Sequence, residues 1–243
     1  MFLINPYIYA TDAWENLKSI SMDGVDEYVD LGNITMLNNT GTFSVSMWVK
    51  CPHSAANATF FSKFNDANNR LDAYRQADEK VRFSVVTSSN YVAFESTTTL
   101  GDDVWTHLAF VWNGSLATAN KVKIYENGSL MGSTITNIGT ITLTATGSAS
   151  VGLGGLFYAN YYDGEQDEVS FFDYALTSGE VTALYNSGCP NNLMSLSAAK
   201  RPEHYYRFDD ITYPTVDDLG ETGGNDGTMT NMESGDIVTD TPC

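Results

Sequence analysis

Residues 43–50 read Phe-Ser-Val-Ser-Met-Trp-Val-Lys. Phe43, Val45, Met47 and Val49 alternate with Ser44, Ser46 and Trp48, so the apolar set falls on one face of an extended strand. The same period of two runs through Val81-Arg82-Phe83-Ser84-Val85 and Val122-Lys123-Ile124-Tyr125. The second of these enters Glu126-Asn127-Gly128-Ser129, and an Asn-Gly pair supplies the positive φ angles of a two-residue hairpin turn. Residues 105–112, WTHLAFVW, are nearly all apolar, as a central strand covered on both faces requires. Residues 135–150 are rich in Thr and Ile with Gly breaks, which suits exposed or edge strands. One stretch reads as helix. Thr177 is its N-cap, Glu180 completes a capping box, and Asn186-Ser187-Gly188 stops it. One short helix among about a dozen strands predicts an all-β fold, an antiparallel β-sandwich.

Composition bounds the rest. The chain has 243 residues, enough for a substantial core without a disulfide or metal staple. Lys plus Arg is 12 against 30 Asp plus Glu, a formal net charge of -18. Such a charge repels nucleic-acid phosphates and anionic bilayers, so neither is an expected partner. Cys51, Cys189 and Cys243 form no CxxC or Cys/His pattern. The expectation is therefore two buried thiols and a third on the C-terminal segment, with no disulfide framework or zinc site. The opening MFLINPYIYATDAWENLK lacks a basic leader, and Asn5-Pro6 interrupts its apolar run. It does not read as a signal peptide. No stretch reaches the roughly 20 apolar residues of a membrane-spanning helix. From Cys189 onward the texture changes to ten acids and three bases in 55 residues. Within that stretch His204-Tyr205-Tyr206-Arg207-Phe208 is strand-like, so part of it should pair with the sandwich or with a neighbour. Residues 1–16 read as an apolar arm, 17–188 as the sandwich and 189–243 as an acidic extension.

Three ordered segments resemble the laminin G-like, concanavalin A-like jelly-roll superfamily. Ser21-Met22-Asp23-Gly24-Val25-Asp26-Glu27-Tyr28-Val29-Asp30 is similar to the family's opening F-D-G-x-x-D-Y-V strand. Phe43 to Lys50, followed by Trp105 to Phe110, is the second. Asp163-Gly164-Glu165-Gln166-Asp167-Glu168-Val169-Ser170, leading to Ala175-Leu176-Thr177, is similar to the family's closing strand and helix. The likeness spans residues 17–188 and is specific for fold rather than function. Including the arm and the tail, the chain also resembles laminin G-like proteins encoded by marine bacterial viruses, which are structural components of head or tail. That resemblance implies a homo-oligomeric protein made in the host cytoplasm and displayed on the virion surface. Its partners would be capsid or tail proteins and a host surface glycan.

Catalytic patterns are weak. Related glucanases carry Glu-x-Asp-x-(x)-Glu on one strand face, because retaining hydrolysis needs two carboxyls about 5–5.5 Å apart. Here Glu165, Asp167 and Glu168 begin that pattern, but Val169 and Ser170 stand where the last Glu should be. His53, His107 and His204 are the only histidines, and no Gly-x-Ser-x-Gly elbow or Gly-rich phosphate loop occurs. The resemblance implies a packing role for His107. No catalytic residue is assigned.

Binding patterns are stronger. The family often holds calcium with its first and last strands, which by resemblance implies Asp23, Asp26 and Asp167 as ligands. Sugars are held by aromatic platforms beside a few fixed polar groups. Two loops offer these: Tyr158, Asn160, Tyr161 and Tyr162 in one, and Asn69, Arg70 and Tyr74 in the other. Phe2, Leu3, Ile4, Tyr7 and Tyr9 form an apolar patch suited to docking on a partner. The reading is a non-enzymatic virion surface protein, a head decoration or tail or fibre component, with weak glycan binding for host attachment. A lectin-like carbohydrate-binding module of a bacterial surface protein is the alternative, and a glycan hydrolase or lyase the third.

Overall fold

The computed structural model describes residues 14–54, 56–155, 160–209 and 211–243. The first nine strands are β1 (Ser19–Asp23), β2 (Tyr28–Asp30), β3 (Thr42–Lys50), β4 (Ala58–Asp66), β5 (Asn69–Arg75), β6 (Lys80–Thr87), β7 (Asn90–Thr99), β8 (Thr106–Asn113) and β9 (Val122–Glu126). They continue as β10 (Ser129–Leu130), β11 (Ser133–Ile138), β12 (Val151–Leu153), β13 (Asp163–Phe172), β14 (His204–Tyr206), β15 (Thr215–Val216), β16 (Gly227–Thr230) and β17 (Ile237–Val238). A single helical turn, α1 (Thr118–Lys121), precedes β9, and α2 (Ser178–Tyr185) follows β13. Two antiparallel sheets face each other. One runs β10-β9-β8-β3-β13-β1-β17, with β14 also on β13, and carries α2 on its outer side. The other, the open sheet, runs β11-β7-β6-β5-β4-β12-β2-β16-β15. This is the sandwich that the alternating strands predict.

The core follows from strand periodicity. Phe43, Val45, Met47 and Val49 of β3 face inward with Leu108, Phe110 and Trp112 of β8, all fully buried. Phe110 is the hub: its ring centre lies 5.4 Å from Phe61 and 5.6 Å from Phe83, both on the opposite sheet. A register shift in β4 between Thr59 and Phe61 turns both Phe60 and Phe61 inward, which strict alternation would forbid. The Asn127-Gly128 turn has φ of 48° and 78° and joins β9 to β10 as expected.

The outer side of β3 and β8 is also covered. Ser44, Ser46 and Trp48 are buried, because α2 and residues 186–200 pack over them. Leu176 N–H donates to the Ser44 hydroxyl at 2.9 Å, and the Trp48 ring stacks on Tyr185 at 5.9 Å. His107 Nε2 lies 2.8 Å from the Ser46 hydroxyl, and complete burial lowers its pKa to about 3, so the ring is neutral. This is a packing histidine. The capping box of α2 is present, with Glu180 N–H donating to Thr177 Oγ1 and Thr177 N–H to Glu180 Oε2.

The C-terminal segment completes both sheets. β14 pairs with β13, β16 with β2, and β17 with β1. Cys189 and Cys243 form a disulfide with Cα atoms 5.4 Å apart, closing a separation of 54 residues. This corrects the expectation that all three cysteines are free thiols; Cys51 alone is free, and it is buried. The spacing carried no motif because only the returning strands bring the two sulfurs together. Phe2, Leu3, Ile4, Tyr7 and Tyr9 lie outside the described residues.

Candidate functional site

The outer face of the open sheet is ordered in rows by its register. Thr59, Tyr74, Arg82, Glu95 and Thr134 lie directly opposite one another across β4, β5, β6, β7 and β11. The next row is Ser62, Asp72, Ser84, Ala93 and Thr136, and the one beyond contains Phe64, Arg70, Val86 and Tyr91. Short side chains in the middle row, flanked by long ones, leave a depression across the strands. A cleft of about 190 Å³ opens there over β5 and β6, lined by Arg70, Asp72, Tyr74, Arg82, Ser84 and Asn160, with Asn57 and Thr59 at one end.

Its polar groups are held from beneath. Asp72 is 6% exposed and accepts from Arg70 Nε at 2.8 Å. The Ser84 hydroxyl also bonds that carboxylate. Burial raises the Asp72 pKa, and Arg70 opposes the shift. Burial likewise raises the Tyr74 phenol, with the nearby Arg82 charge opposing it. Arg82 Nη1 is 3.6 Å from Glu95 in the same row. The arrangement is an aromatic ring beside a fixed acceptor, two guanidinium groups and two short polar side chains. It can grip a polyhydroxylated ring; among the described residues it has one lining carboxylate, where glycoside hydrolysis uses a pair.

The structure therefore brings Arg70 and Tyr74, which lie on strand β5 rather than in the expected loop, into one cleft with Asn160. The other candidates go elsewhere. Asn69 locks the β4–β5 turn, donating to Asp66 and accepting from Ser88 N–H at 3.0 Å. Tyr162 is a core residue, not a platform. It is fully buried, and its hydroxyl donates to the Lys50 and Glu165 carbonyls at 3.0 and 3.1 Å. The Tyr161 ring lies over Gly155, where a Cβ would sit 2.6 Å from it, and is half-buried. Tyr158 lies outside the described residues. Sequence reading passed over Asp72, Arg82 and Ser84. The signal was there: Arg70, Asp72 and Tyr74 alternate on one face of a strand, Arg82 and Ser84 do so on the next, and only the pairing register was missing.

The three expected calcium ligands do not converge. Asp23 pairs with Asp163, whereas Asp167 lies four residues further along β13, about 13 Å away at 3.3 Å per residue. Asp23 instead caps its own turn, accepting from Val25 N–H at 2.8 Å. Asp26 is exposed beside it. Asp167 accepts from the Asn16 amide at 2.7 Å and from Glu168 N–H at 2.8 Å. A β-bulge between Asp167 and Ser170, with Glu168 at φ 52°, turns Asp167 and Glu168 toward the outer side of the helix-covered sheet, away from the cleft. Glu168 bonds the Tyr205 hydroxyl and lies 3.4 Å from Arg207 Nε. Burial pushes both carboxyls up, Glu168 to about 8. Among the described residues, His53, Glu79 and Asp102 gather their ligand atoms within 4.8 Å. Arg75, buried, reaches Asp102 at 2.5 Å and Glu79 at 3.6 Å, so a guanidinium already supplies the positive charge there.

Comparison with known proteins agrees with this architecture. The family described as the concanavalin A-like lectin/glucanases superfamily matches residues 23–182. No curated protein matches the chain. Among solved structures, a Bacteroides ovatus protein assigned as carbohydrate-binding aligns with a TM-score of 0.65 at 15% identity, covering 93% of this chain and 60% of that one. Domain 4 of an extracellular GH43 arabinanase from Geobacillus stearothermophilus, solved with arabinotriose, aligns at 0.55 and 24% identity, covering 69% and 76%. The heptameric SAP-like pentraxin of Limulus polyphemus aligns at 0.54 and 19% identity, covering 71% and 84%. At these identities the likeness is one of fold.

Proposed function

The chain belongs to the concanavalin A-like lectin/glucanase superfamily, and from that premise we propose that it is a non-catalytic glycan-binding protein whose ligand lies in the cleft over β5 and β6. One observation carries the reading. Asp72 is pre-positioned by Arg70 and Ser84 at the floor of a polar cleft whose wall is the Tyr74 ring. A sugar presents an apolar ring face and hydroxyl edges, and this site offers a partner for each. Non-catalysis is supported by the single lining carboxylate and by the placement of Asp167 and Glu168 on the other sheet's outer side.

The experiment is a glycan array followed by titration calorimetry with the full chain. Tyr74→Ala should weaken the best ligand about tenfold, through lost ring contact. Asp72→Asn should cost about tenfold or more, as expected for a hydrogen bond to a charged group. Array silence, or unchanged affinity in Tyr74→Ala with an intact fold, would refute the site. EDTA should leave binding unchanged, since the three acids expected to hold calcium do not share a site.

The setting we propose is the surface of a bacterial virus particle, as a head decoration or a tail or fibre component. The sequence resemblance described above supports it, and the cleft would then touch a host surface glycan. Imaging of purified particles at side-chain resolution tests this placement. Intact particles lacking the protein would favour a lectin-like module of a bacterial surface protein instead.

A further inference from the structure

We propose that the cleft selects an acidic sugar, one whose ring carries a carboxylate, and that Arg82 is the residue that reads it. The inference rests on the glycan-binding reading above and specifies the ligand's class. Lys and Arg together are 12 of 243 residues against 30 acids, so a cationic spot is uncommon on this surface. Two of the eight described residues lining the cleft are nevertheless arginines.

The two arginines are not equivalent. Arg70 is committed: Nε donates to Asp72 at 2.8 Å and Nη1 to the Ala67 carbonyl. At its tip, Arg82 is held only by a loose, half-exposed ion pair with Glu95. Its Nε reaches the Ser84 hydroxyl at 3.4 Å, a long contact, and Nη1 stands 3.6 Å from Glu95, beyond hydrogen-bond range. Among the described residues, neither terminal nitrogen of Arg82 donates a hydrogen bond. A planar guanidinium whose terminal nitrogens make no hydrogen bond can exchange its loose Glu95 contact for two parallel bonds to a ligand carboxylate.

Register supplies the spacing. Arg82 lies directly opposite Tyr74 on the adjacent strand. Opposed side chains start about 5 Å apart, roughly the width of one sugar ring. A pyranose laid on Tyr74 therefore places a substituent over the Arg82 fork while its hydroxyls face Asp72 and Ser84. The net charge of -18 sets an opposite limit at long range. A densely charged polyanion is repelled by the molecule as a whole, so the fitting ligand is a short oligosaccharide with an isolated carboxylate. Glu95, on the far side of Arg82, competes for the same guanidinium.

A glycan array carrying neutral, uronate-bearing and sialylated oligosaccharides tests the class with the full chain. The tightest ligand is then titrated against its carboxyl-reduced counterpart. Acidic ligands should dominate, and the reduced counterpart should bind about tenfold more weakly. Arg82→Gln should remove that preference, costing the acidic ligand about tenfold more than its neutral counterpart, and Arg82→Lys should restore part of it. Glu95→Gln should tighten the acidic ligand alone. If neutral glycans dominate and Tyr74→Ala abolishes their binding while Arg82→Gln does not, the acidic class is wrong and the glycan site stands. If no glycan of any class binds, both fall.

Discussion

Glu168 and His107 are buried titratable groups facing the same outer region of the helix-covered sheet, and they bias stability in opposite senses with pH. Burial raises the Glu168 pKa from 4.5 to about 8, so its carboxyl takes up a proton more readily in the folded chain. Its contribution is fully present below the unfolded value and is lost as pH rises toward about 8. Burial lowers the His107 pKa from 6.5 to about 3, so its contribution is present above 6.5 and lost as pH falls. Glu168→Gln isolates the first effect. Relative to the parent, its unfolding free energy should improve as pH rises from about 4.5 to about 8, by at most about 1.4 kcal/mol per pH unit. The Arg207 contact favours the ionised carboxyl and is already contained in that pKa. A set of denaturant titrations across that range measures the difference, and a flat difference would show that Glu168 ionises normally in the fold. The environment of Glu168 could not be read in the sequence. His107 was legible as a strand histidine, but Glu168 owes its burial to a bulge and to Tyr205 and Arg207, which follow it by 37 and 39 positions.

At the scale of the element, local rules read well. The helix α2 was visible because its start signal is contained in four residues, Thr177 to Glu180, and its stop in Asn186, which sits at φ 45°. Thr177→Ala removes an acceptor from the first turn and should cost about 1 kcal/mol, detectable as a shift in the denaturant midpoint. An unshifted midpoint would mean that packing of Val181 and Leu184 alone holds the helix. Strands β3, β6 and β9 were equally visible, since period-two alternation is a property of neighbours in sequence. Two element-level features escaped. The outer row of β3 is buried rather than solvated, because α2 and residues 186–200 return over it. The cleft residues of β5 and β6 alternate visibly, yet which of them stand opposite one another depends on the hairpin register.

At the scale of the whole molecule, the last 55 residues pair with the sandwich at His204–Tyr206 as expected, but the rest of them departs from the linear reading. Their acidic, Gly- and Asn-rich composition suggests a tail, yet their strands edge both sheets and end in the Cys189–Cys243 disulfide. Closing a loop of this length restricts the unfolded chain by about 4 kcal/mol in the chain-entropy picture. Cys243→Ser should therefore lower the unfolding free energy by up to about that amount while leaving the β5–β6 cleft intact. Guanidinium titration with and without reductant measures it, and identical curves would show that strand pairing suffices. Sequence by itself determined the all-β class, the strands β3, β6, β8 and β9, the helix with its caps and the superfamily's motifs, because each is written in residues within about ten positions of one another. Tertiary structure decided the disulfide, the covered outer face, the separation of Asp23 from Asp167 and the convergence of Arg70, Tyr74, Arg82 and Asn160. Those depend on contacts between distant segments, and the free energy that selects them is the burial of both sheets' apolar faces at once.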